Sequence, residues 1–554
     1  MLQLQIITYS NVVGKKAEED GFAKLMEGIP TLPALEFVVE RQNRVMFAFA
    51  DIKTQKDAIY EMRFYMEQEE QANVDEFISN MATPILLMNL SGMEFCAQAL
   101  RRPNTEVREL SKEETRRVYL AYLLCNEKWS SHQAKGLEVD SEHPENMLLK
   151  VDMPLSEFKR HKDFKAAIYK ATQLFRFCEK NADYWTIVSQ FLTERGVKDW
   201  REYLMKLFEL YFKSIGIKDQ PLSSQITPFE EQYAIDLSQM TNDDTLNIMW
   251  LRDHFLVKRV DGTFLVINNN LIIDKMYQGL KFDLFKTAKN HHLAIEGEEI
   301  KSIDKLNEKL GQDFSEEYLL YDLMEKIYSG HEGVRFKGQE LLGKIDAEPD
   351  YYLRQGKKLL LIEHKDVLIS ELKKQETDVS KIIDALSDKI CREKDDKKGR
   401  KGGPQLLHTI DGIFKRESMK HLDGDAKKAD MVYPVVTVLD SAFSSLGVAL
   451  ATVRKFCEQA QGYDTIKEGL THVAPITIID IDTLFILSKR LHDGELNLFN
   501  LIGEYQRMLC EKGEDIFEQP SFSSFIADNY PLMEIKGEDN KFLLSNYYEE
   551  ILRM

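Results

Sequence analysis

The sequence predicts a multidomain α/β protein, in which a mainly helical N-terminal region with small β elements precedes a mixed β-sheet flanked by helices. Three observations support this prediction. The chain has 554 residues, more than a single hydrophobic core usually holds. Apolar residues recur at intervals of three and four from about 54 to 250. After about 311, short apolar segments alternate with amphipathic helices, which is typical of a sheet covered by helices.

In the N-terminal part, three segments of the first sixty residues are interpreted as strands: LQIITYS, then EFVVERQ and RVMFAFADI around an Asn-Arg turn. Segments such as KDAIYEMRFYMEQ and WREYLMKLFELYFKSI predict helices, because their apolar residues fall on one helical face. FLVKRVDGTFLVINNNLIIDKMY predicts a β-hairpin with Asp261-Gly262 as its turn.

In the C-terminal part, SEEYLLYDLMEKIY (315–328) predicts an amphipathic helix, and GVRFKGQELLGKIDA predicts an extended or irregular segment. DYYLR and KKLLLIEHK predict two strands joined through Gln355-Gly356. The elements expected after them are, in order, the helical ISELKKQETDVSKIIDALSDKI, a charged glycine-rich loop at 391–403, the helix PQLLHTIDGIF, the strand VYPVVTVLD, a helix around 445–461, the strand APITIIDID and the helix DTLFILSKRL. Asp482 is expected to cap that last helix.

The end of the strand KKLLLIEHK carries the residues that point to chemistry. Side chains alternate between the faces of a strand, so Glu363 and Lys365 share one face and His364 points to the other. A turn at Gly356 brings Asp350 within reach of Glu363. Two carboxylates at that separation can share a Mg²⁺ ion, which prefers oxygen ligands and activates water for attack on phosphate. Lys365 can orient that water or offset charge on phosphate oxygens.

This arrangement resembles the PD-(D/E)XK phosphodiesterase superfamily, which has the restriction-endonuclease-like fold. Pro349-Asp350 matches the PD, and Glu363-His364-Lys365 matches the (D/E)XK. The resemblance implies that Asp350 and Glu363 bind Mg²⁺ or Mn²⁺, that the backbone carbonyl of His364 adds a ligand, and that Lys365 assists the attack on phosphorus. His364 departs from the family pattern, since that position is more often apolar.

The resemblance covers about 315–493 and implies two further site residues. Many members have a glutamine on the helix after the core strands, and Gln405 in GGPQLLHTI occupies the corresponding place. Some members have a glutamate on the preceding helix. Glu316, Glu317 and Glu325 are candidates for that role, and the sequence does not choose among them.

The resemblance implies a metal-dependent endonuclease in residues 311–495. Residues 1–310 are expected to form a regulatory or partner-binding region, and 496–554 a C-terminal helical extension. The expected substrate is nucleic acid, DNA rather than RNA, cleaved by a restrained effector of the kind found in bacterial defence. Two alternatives stay open: a non-catalytic scaffold or interaction protein with the nuclease fold, and an RNA-cleaving toxin.

Composition restricts the setting of such a protein. The formal net charge is −19, yet residues 351–428 hold 19 Lys and Arg against 14 Asp and Glu, so the net-basic window coincides with the candidate site. We expect a cytoplasmic protein without a membrane segment, because the chain has no secretory signal and no run of 18 apolar residues. Its 6 cysteines are scattered and predict neither a disulfide framework nor a zinc site. A regulatory protein partner is expected, and the oligomeric state, a homo-oligomer included, stays open.

Overall fold

The structure is a computed structural model that describes residues 6–46, 52–134, 143, 145–159, 162–214, 227–345, 347–376, 378–393, 399–511 and 519–530. They form a mixed α/β protein with a helical N-terminal region and a mixed sheet in the C-terminal half, as predicted. Two compact units divide the chain: Met1–Lys135, Phe158–Ile168 and Ser189–Leu284 belong to the first, and Gly136–Glu157, Tyr169–Val188 and Phe285–Met554 to the second. The division at 310/311 and 495/496 stays a prediction.

Helices dominate the chain as far as residue 290. Their bounds are Tyr9–Val13, Gly21–Met26, Thr31–Met46, Ile52–Tyr65, Gln68–Asn80, Asn89–Leu100, Lys112–Ala134, Glu145–Asp152, Ser156–Lys159, Phe164–Glu179, Ala182–Glu194, Trp200–Ser214, Pro228–Glu231, Ile248–Leu251, Asn269–Met276 and Gln278–Asn290.

The strands predicted within the first sixty residues are wrong wherever the structure describes them. EFVVERQ lies inside the helix Thr31–Met46, and LQIITYS contributes one isolated bridge at Ile6 before the helix Tyr9–Val13 begins. RVMFAFADI begins within the helix Thr31–Met46, and its residues 47–51 lie outside the described residues. The reason is periodicity: Leu35, Val38, Val39 and Gln42 are all buried, a spacing of three and four that outweighs local β propensity.

The predicted hairpin after residue 255 is confirmed in its first part. Strands β1 (Ala234–Ile235), β2 (Leu256–Lys258) and β3 (Phe264–Val266) form one small sheet, in which β2 and β3 are antiparallel around Asp261-Gly262. The second part, NLIIDKMY, is not a strand, because the helix Asn269–Met276 begins there with Asn268 as its cap. Strands β4 (Ala294–Ile295) and β5 (Glu298–Glu299) form a separate two-stranded sheet.

A six-stranded mixed sheet organises the C-terminal half. Its strands are β6 (Val334–Lys337), β7 (Tyr351–Gln355), β8 (Lys358–Lys365), β9 (Met431–Val438), β10 (His472–Val473) and β11 (Thr477–Asp480). β6, β7 and β8 form an antiparallel meander, β9 is parallel to β8, and β10 and β11 both pair with the far side of β9. The strands predicted at DYYLR, KKLLLIEHK, VYPVVTVLD and APITIIDID are therefore confirmed, and GVRFKGQELLGKIDA contributes β6.

Helices cover both faces of this sheet. The helical segments after residue 300 are Ile303–Leu310, the π-helical Gly311–Leu320, Tyr321–Tyr328, Gly338–Leu341, Glu371–Lys374, Val379–Ile390, Gly403–Phe414, Leu446–Ala460, Asp464–Lys467, Ile481–His492, Leu498–Glu511 and Phe522–Asn529, with short 3-10 turns at Ala426–Lys428 and Ser441–Ser444. Leu359 and Leu361 of β8 pack in one hydrophobic core with Ile382, Ile410 and Val448 of three of these helices. Burial on both faces explains why β8 is a continuous apolar run.

Two details of this half differ from expectation or fall outside the structure. The helix Ile481–His492 is capped by Asp480, whose Oδ1 accepts the Thr483 N–H at 2.7 Å, so the prediction that Asp482 is the cap is wrong. Asp482 pairs instead with Lys170 at 2.6 Å. Of the predicted charged loop at 391–403, residues 394–398 lie outside the described residues. Within the described part of the chain, no helix is long and apolar enough to cross a membrane.

Candidate active site

Asp350, Glu363 and Lys365 come together at one end of the sheet. Tyr351 of β7 pairs with Ile362 of β8, so Asp350 and Glu363 are directly opposite in the next antiparallel position. Opposite residues place their side chains on the same face of a sheet, and Lys365 shares this face because it lies two residues after Glu363. β8 ends here beside the parallel strand β9, so the site lies at the carboxyl end of the parallel pair.

The peptide between Glu363 and Lys365 holds Asp350 in place. The His364 N–H donates to Asp350 Oδ2 at 2.5 Å. The His364 side chain is buried on the opposite face, where its Nδ1 lies 2.9 Å from Thr437 Oγ1 of the adjacent strand. The histidine that departs from the family pattern is therefore a cross-strand partner of Thr437. Ligation by its backbone carbonyl stays a prediction.

Lys365 lies between the two carboxylates. Its Nζ donates to Glu363 Oε2 at 2.6 Å and lies 3.9 Å from Asp350 Oδ2. Burial alone would lower the pKa of Lys365, but the charges of Glu363 and Asp350 outweigh that effect and raise the pKa above its usual range. The ammonium therefore stays protonated at neutral pH.

Glu363 is buried in surroundings that disfavour its ionised form. Its side chain has 0 % exposure, and Oε1 has no hydrogen-bond partner among the described residues. Burial, followed by the charge of Asp350, raises the pKa of Glu363 well above its usual range, although Lys365 opposes the shift. Burial also raises the pKa of Asp350, against the opposing influence of Lys365 and the His364 N–H. A compensating cation would relieve both carboxylates.

Glu316 is the glutamate that the structure brings to this cluster. It lies in the π-helical segment Gly311–Leu320, and its Oε1 accepts a hydrogen bond from Tyr321 at 3.2 Å. Burial and then the charge of Asp350 raise the pKa of Glu316 to about 8, while Lys365 opposes the shift. Glu325 instead accepts a hydrogen bond from Tyr351, whose side chain points away from the face of Asp350.

Glu317 is the least involved of the three glutamates that the sequence left open. It acts on the cluster only as the weakest of the influences on the pKa of Glu316. Of the three glutamates, Glu316 is therefore the one that the structure brings to Asp350, and its role in a metal site stays a prediction. The sequence could not make this choice, because ordinary helical spacing does not apply in a π-helical segment.

Three neighbours of the cluster were not singled out from the sequence as site residues. Ser315 is fully buried and donates to Asp366 Oδ2 at 2.8 Å, which ties the π-helical segment to the residue after Lys365. Tyr321 holds Glu316, as described above. Gly338 allows close approach, because a Cβ there would lie 3.0 Å from the Tyr321 hydroxyl and 3.2 Å from Asp350 Cα. No local pattern marks these roles, which depend on contacts between distant elements.

Gln405 lies near the cluster but does not reach into it. Its Nε2 donates to the backbone carbonyl of Glu348 at 3.1 Å, two residues before Asp350. One turn later, Thr409 Oγ1 donates to the Ala347 carbonyl at 2.7 Å. The helix Gly403–Phe414 thus anchors the segment that leads into β7. Its predicted catalytic role stays a prediction, and the contact seen is one that positions Asp350.

The donor set fits a hard divalent cation. Asp350 and Glu363 offer carboxylate oxygens, Glu363 Oε1 is buried without a partner among the described residues, and Glu316 adds a third acidic group nearby. Oxygen ligands of this kind are those that Mg²⁺ and Mn²⁺ prefer. The set is not a closed cage: in the part of the chain that the structure describes, no three His, Cys, Asp or Glu side chains are grouped closely enough to hold a metal ion.

The chain was compared with protein families, with curated proteins and with solved structures. No protein family, no curated protein and no solved structure matches the chain. The geometry of the site therefore carries the functional argument by itself.

Proposed function

We propose that the chain is a divalent-metal-dependent endonuclease of the PD-(D/E)XK type, with a restriction-endonuclease-like fold in its C-terminal half. One observation carries the proposal: the opposed Asp350 and Glu363 are buried at a strand end around Lys365, with Glu363 Oε1 left without a partner among the described residues. Two buried carboxylates that share a single lysine are compensated only in part and cost stability, so their presence is best explained by function.

The order of elements supports the same proposal. Helical segments, three antiparallel strands, further helices, a strand parallel to the third, two more helices and two last strands follow one another from 303 to 480. This is the order expected from the resemblance. Gln405 lies in the first turn of the helix Gly403–Phe414, which precedes the parallel strand β9, also as expected.

Each residue has a physical role in the proposed reaction. Asp350, Glu363 and the His364 carbonyl would hold Mg²⁺ or Mn²⁺, and Glu316 would add negative charge beside Asp350. When bound, the ion supplies a Lewis acid for the phosphate and lowers the pKa of the attacking water. Lys365 is protonated in the observed arrangement, so it can stabilise negative charge that develops on phosphate oxygens rather than accept a proton. Gln405 keeps Asp350 in place through Glu348.

The non-catalytic scaffold is the main alternative. A scaffold gains nothing from this buried charge cluster, because well-packed apolar residues in place of a complete buried ion pair are often as stable or more stable. The retention of Asp350, Glu363 and Lys365 together therefore favours the enzyme. DNA is the proposed substrate, and an RNA-cleaving toxin would use the same site. The proposed setting is a cytoplasmic effector that residues 1–310 restrain until a signal or protein partner arrives.

The decisive experiment compares full-length protein with its Glu363→Ala variant. Plasmid DNA and a long RNA are incubated with Mg²⁺ or Mn²⁺, and Glu317→Ala serves as a matched control because Glu317 lies outside the carboxylate cluster. We expect the wild type and the control to cut and Glu363→Ala to be inactive with an unchanged circular dichroism spectrum. Equal cutting by wild type and Glu363→Ala would mean that another enzyme is responsible and would overturn the assignment. Silence from all three would favour the scaffold.

A further inference from the structure

The two ends of the basic segment 391–401 meet beside the candidate active site. Gly402 has a φ of +61°, and a Cβ at this position would lie 1.8 Å from the Ile390 carbonyl oxygen. The Lys401 N–H donates to the Arg392 carbonyl at 2.9 Å. The two ends of segment 391–401 therefore meet, at the junction between the helices Val379–Ile390 and Gly403–Phe414.

This junction lies close to the strand end that carries the catalytic candidates. The helix Gly403–Phe414 begins directly after it, and Gln405 in the first turn of that helix contacts Glu348, next to Pro349-Asp350. Gly402 is the cap residue of this helix and has no side chain to satisfy the first-turn N–H groups. An anion at the junction would therefore also meet the positive end of the helix dipole.

Positive charge at the junction is neutralised only in part. Lys389 and Lys401 have no hydrogen-bond or ion-pair partner for their ammonium groups among the residues that the structure describes, and Lys401 is exposed. Arg392 is paired with Asp388 at 3.1 Å.

The charge of Lys365 in the candidate site acts on Lys401 at the junction. Partial burial lowers the pKa of Lys401, and the charges of Arg392, Lys365 and Lys389 lower it further, against the influence of Asp388. Lys401 thus lies within electrostatic range of Arg392, Lys389 and the Lys365 of the candidate site. Like charges held together are unfavourable in the free protein, and a polyanion would make them favourable.

We infer that Lys389, Arg392 and Lys401 form a subsite that binds the phosphodiester backbone next to the scissile bond. The inference rests on the proposed nuclease function. Phosphate contacts of this kind fix the position of the substrate and carry no base information, so the subsite raises affinity for all sequences alike. Its occupant is the nucleic acid strand itself, because the proposed reaction places a phosphodiester at Lys365, and the charge of Lys365 acts on Lys401 at the junction.

The test measures binding by the full-length chain carrying Glu363→Gln, which prevents cleavage. The probes are a fluorescein-labelled 30-base-pair DNA duplex and a 30-nucleotide RNA, and anisotropy is recorded from 50 to 300 mM KCl. Addition of Lys389→Ala and Lys401→Ala is expected to weaken binding about 10-fold or more at low salt. The slope of log affinity against log salt should become less steep by about 1.8 for the duplex or about 1.4 for the single strand, since each lost contact removes about 0.9 or 0.7.

Two controls make the result specific. Lys420→Ala with Lys427→Ala removes the same charge from lysines that are already paired with Glu417, and it should leave the slope unchanged. Lys401→Arg keeps the charge and should restore most of the affinity lost in Lys401→Ala. An unchanged affinity and slope in the Lys389/Lys401 variant, with a wild type that cuts nucleic acid, would overturn the subsite alone. Absence of both binding and cutting in the wild type would overturn the subsite together with the proposed function.

Discussion

Glu363 is a residue whose buried charge is unfavourable for folding and which also lies at the centre of the candidate active site. Its carboxylate is fully buried, faces Asp350 across the strand pair, and is compensated only in part by Lys365. Such a group destabilises the fold in the absence of a bound cation. Active sites often retain strain of this kind, because the same groups bind the ligand that relieves it.

We expect Glu363→Gln to raise stability and abolish cleavage at the same time. The amide has nearly the shape of the carboxylate but no charge to be repelled by Asp350, so the free energy of unfolding in EDTA should rise by about 1–2 kcal/mol at pH 8. Mg²⁺ should raise the Tm of the wild type and not that of the variant. Thermal unfolding with and without Mg²⁺ checks both effects. A variant with a lower Tm than the wild type in EDTA would contradict this account of the residue.

The association of Asp350, Glu363 and Lys365 was predictable from the sequence, whereas Glu316 could not be chosen from three candidates. Asp350, Glu363 and Lys365 follow from two local rules, alternation along a strand and a turn at Gly356, and the structure brings them together as expected. Glu316 depends on the π-helical conformation of its segment and on contacts with a distant strand. The contribution of His364 through its N–H to Asp350 also needed the register of the two strands.

At the scale of elements, the π-helical segment places Glu316 in line with Tyr321. These residues are five positions apart, and they would point about 140° away from each other in an α-helix of 3.6 residues per turn. A π-helix has hydrogen bonds from residue i to i+5, so the two side chains lie on the same side and are hydrogen-bonded. The irregular helix is therefore the reason that the third acidic group reaches the site.

We expect Tyr321→Phe to lower cleavage about 10-fold while the fold persists. The change removes the hydrogen bond that Tyr321 donates to Glu316 and leaves the buried ring in place. The orientation of the carboxylate should therefore suffer more than stability, which falls by about 1 kcal/mol. Cleavage rates as a function of Mg²⁺ concentration provide the measurement. Tyr318→Phe, in the same segment with its hydroxyl on Lys180, is the control. Identical Mg²⁺ dependence in Tyr321→Phe and wild type would argue against a positioning role.

The junction at Gly402 leads to a second expectation at this scale. Gly402→Ala combines an unfavourable positive φ with a clash against the Ile390 carbonyl, so we expect it to destabilise the protein by about 1–3 kcal/mol. Gly399→Ala is a matched control, because a Cβ there has nothing within 4 Å. Urea denaturation measures both variants. Equal stability of the two would show that the close approach at Gly402 is absent in solution.

Elements were predicted well where periodicity and length agree, and badly where they conflict. The long apolar run of β8 and the amphipathic helix Gly403–Phe414 each have one consistent interpretation. EFVVERQ has β-branched residues typical of strands but helical spacing, and the spacing decides because Leu35, Val38 and Val39 pack on one side. The cap at Asp480 depended on where the last strand ends, a boundary that the sequence does not mark.

For the whole molecule, the first unit has an internal charge network of its own. Asp274, fully buried, is paired with Arg252 at 2.7 Å and with Lys162. Nearby, the buried Lys275 contacts Asp253 at 2.6 Å and Asp283 at 2.9 Å. Burial would raise the pKa of Asp274, but the charges of Arg252 and Lys162 outweigh it and lower the pKa to about 2. The network stabilises this unit only while its members are ionised.

We expect Asp274→Asn to cost about 3–5 kcal/mol at pH 7, because the buried Arg252 and Lys162 would lose their counter-charge. The lowered pKa predicts the pH dependence. The wild-type contribution is complete above the ordinary pKa of 3.8 and is lost as the pH falls towards 2. The difference between wild type and variant should therefore be constant from pH 5 to 8 and shrink below pH 4. Urea unfolding across this range is the measurement, and a difference that grows on acidification would contradict the ion-pair account.

The close approach of Gly402 to Ile390 makes the fold of the sheet largely independent of the length and charge of segment 391–401. Because the ends of segment 391–401 already touch, doubling the length of this segment would cost only about 0.6 kcal/mol of closure entropy. Insertions, deletions and changes of charge between Arg392 and Lys401 can therefore accumulate with little effect on the strands that hold Asp350 and Glu363. For the proposed nuclease, this segment is where the strength of backbone binding can change over evolutionary time without alteration of the strands that hold Asp350 and Glu363.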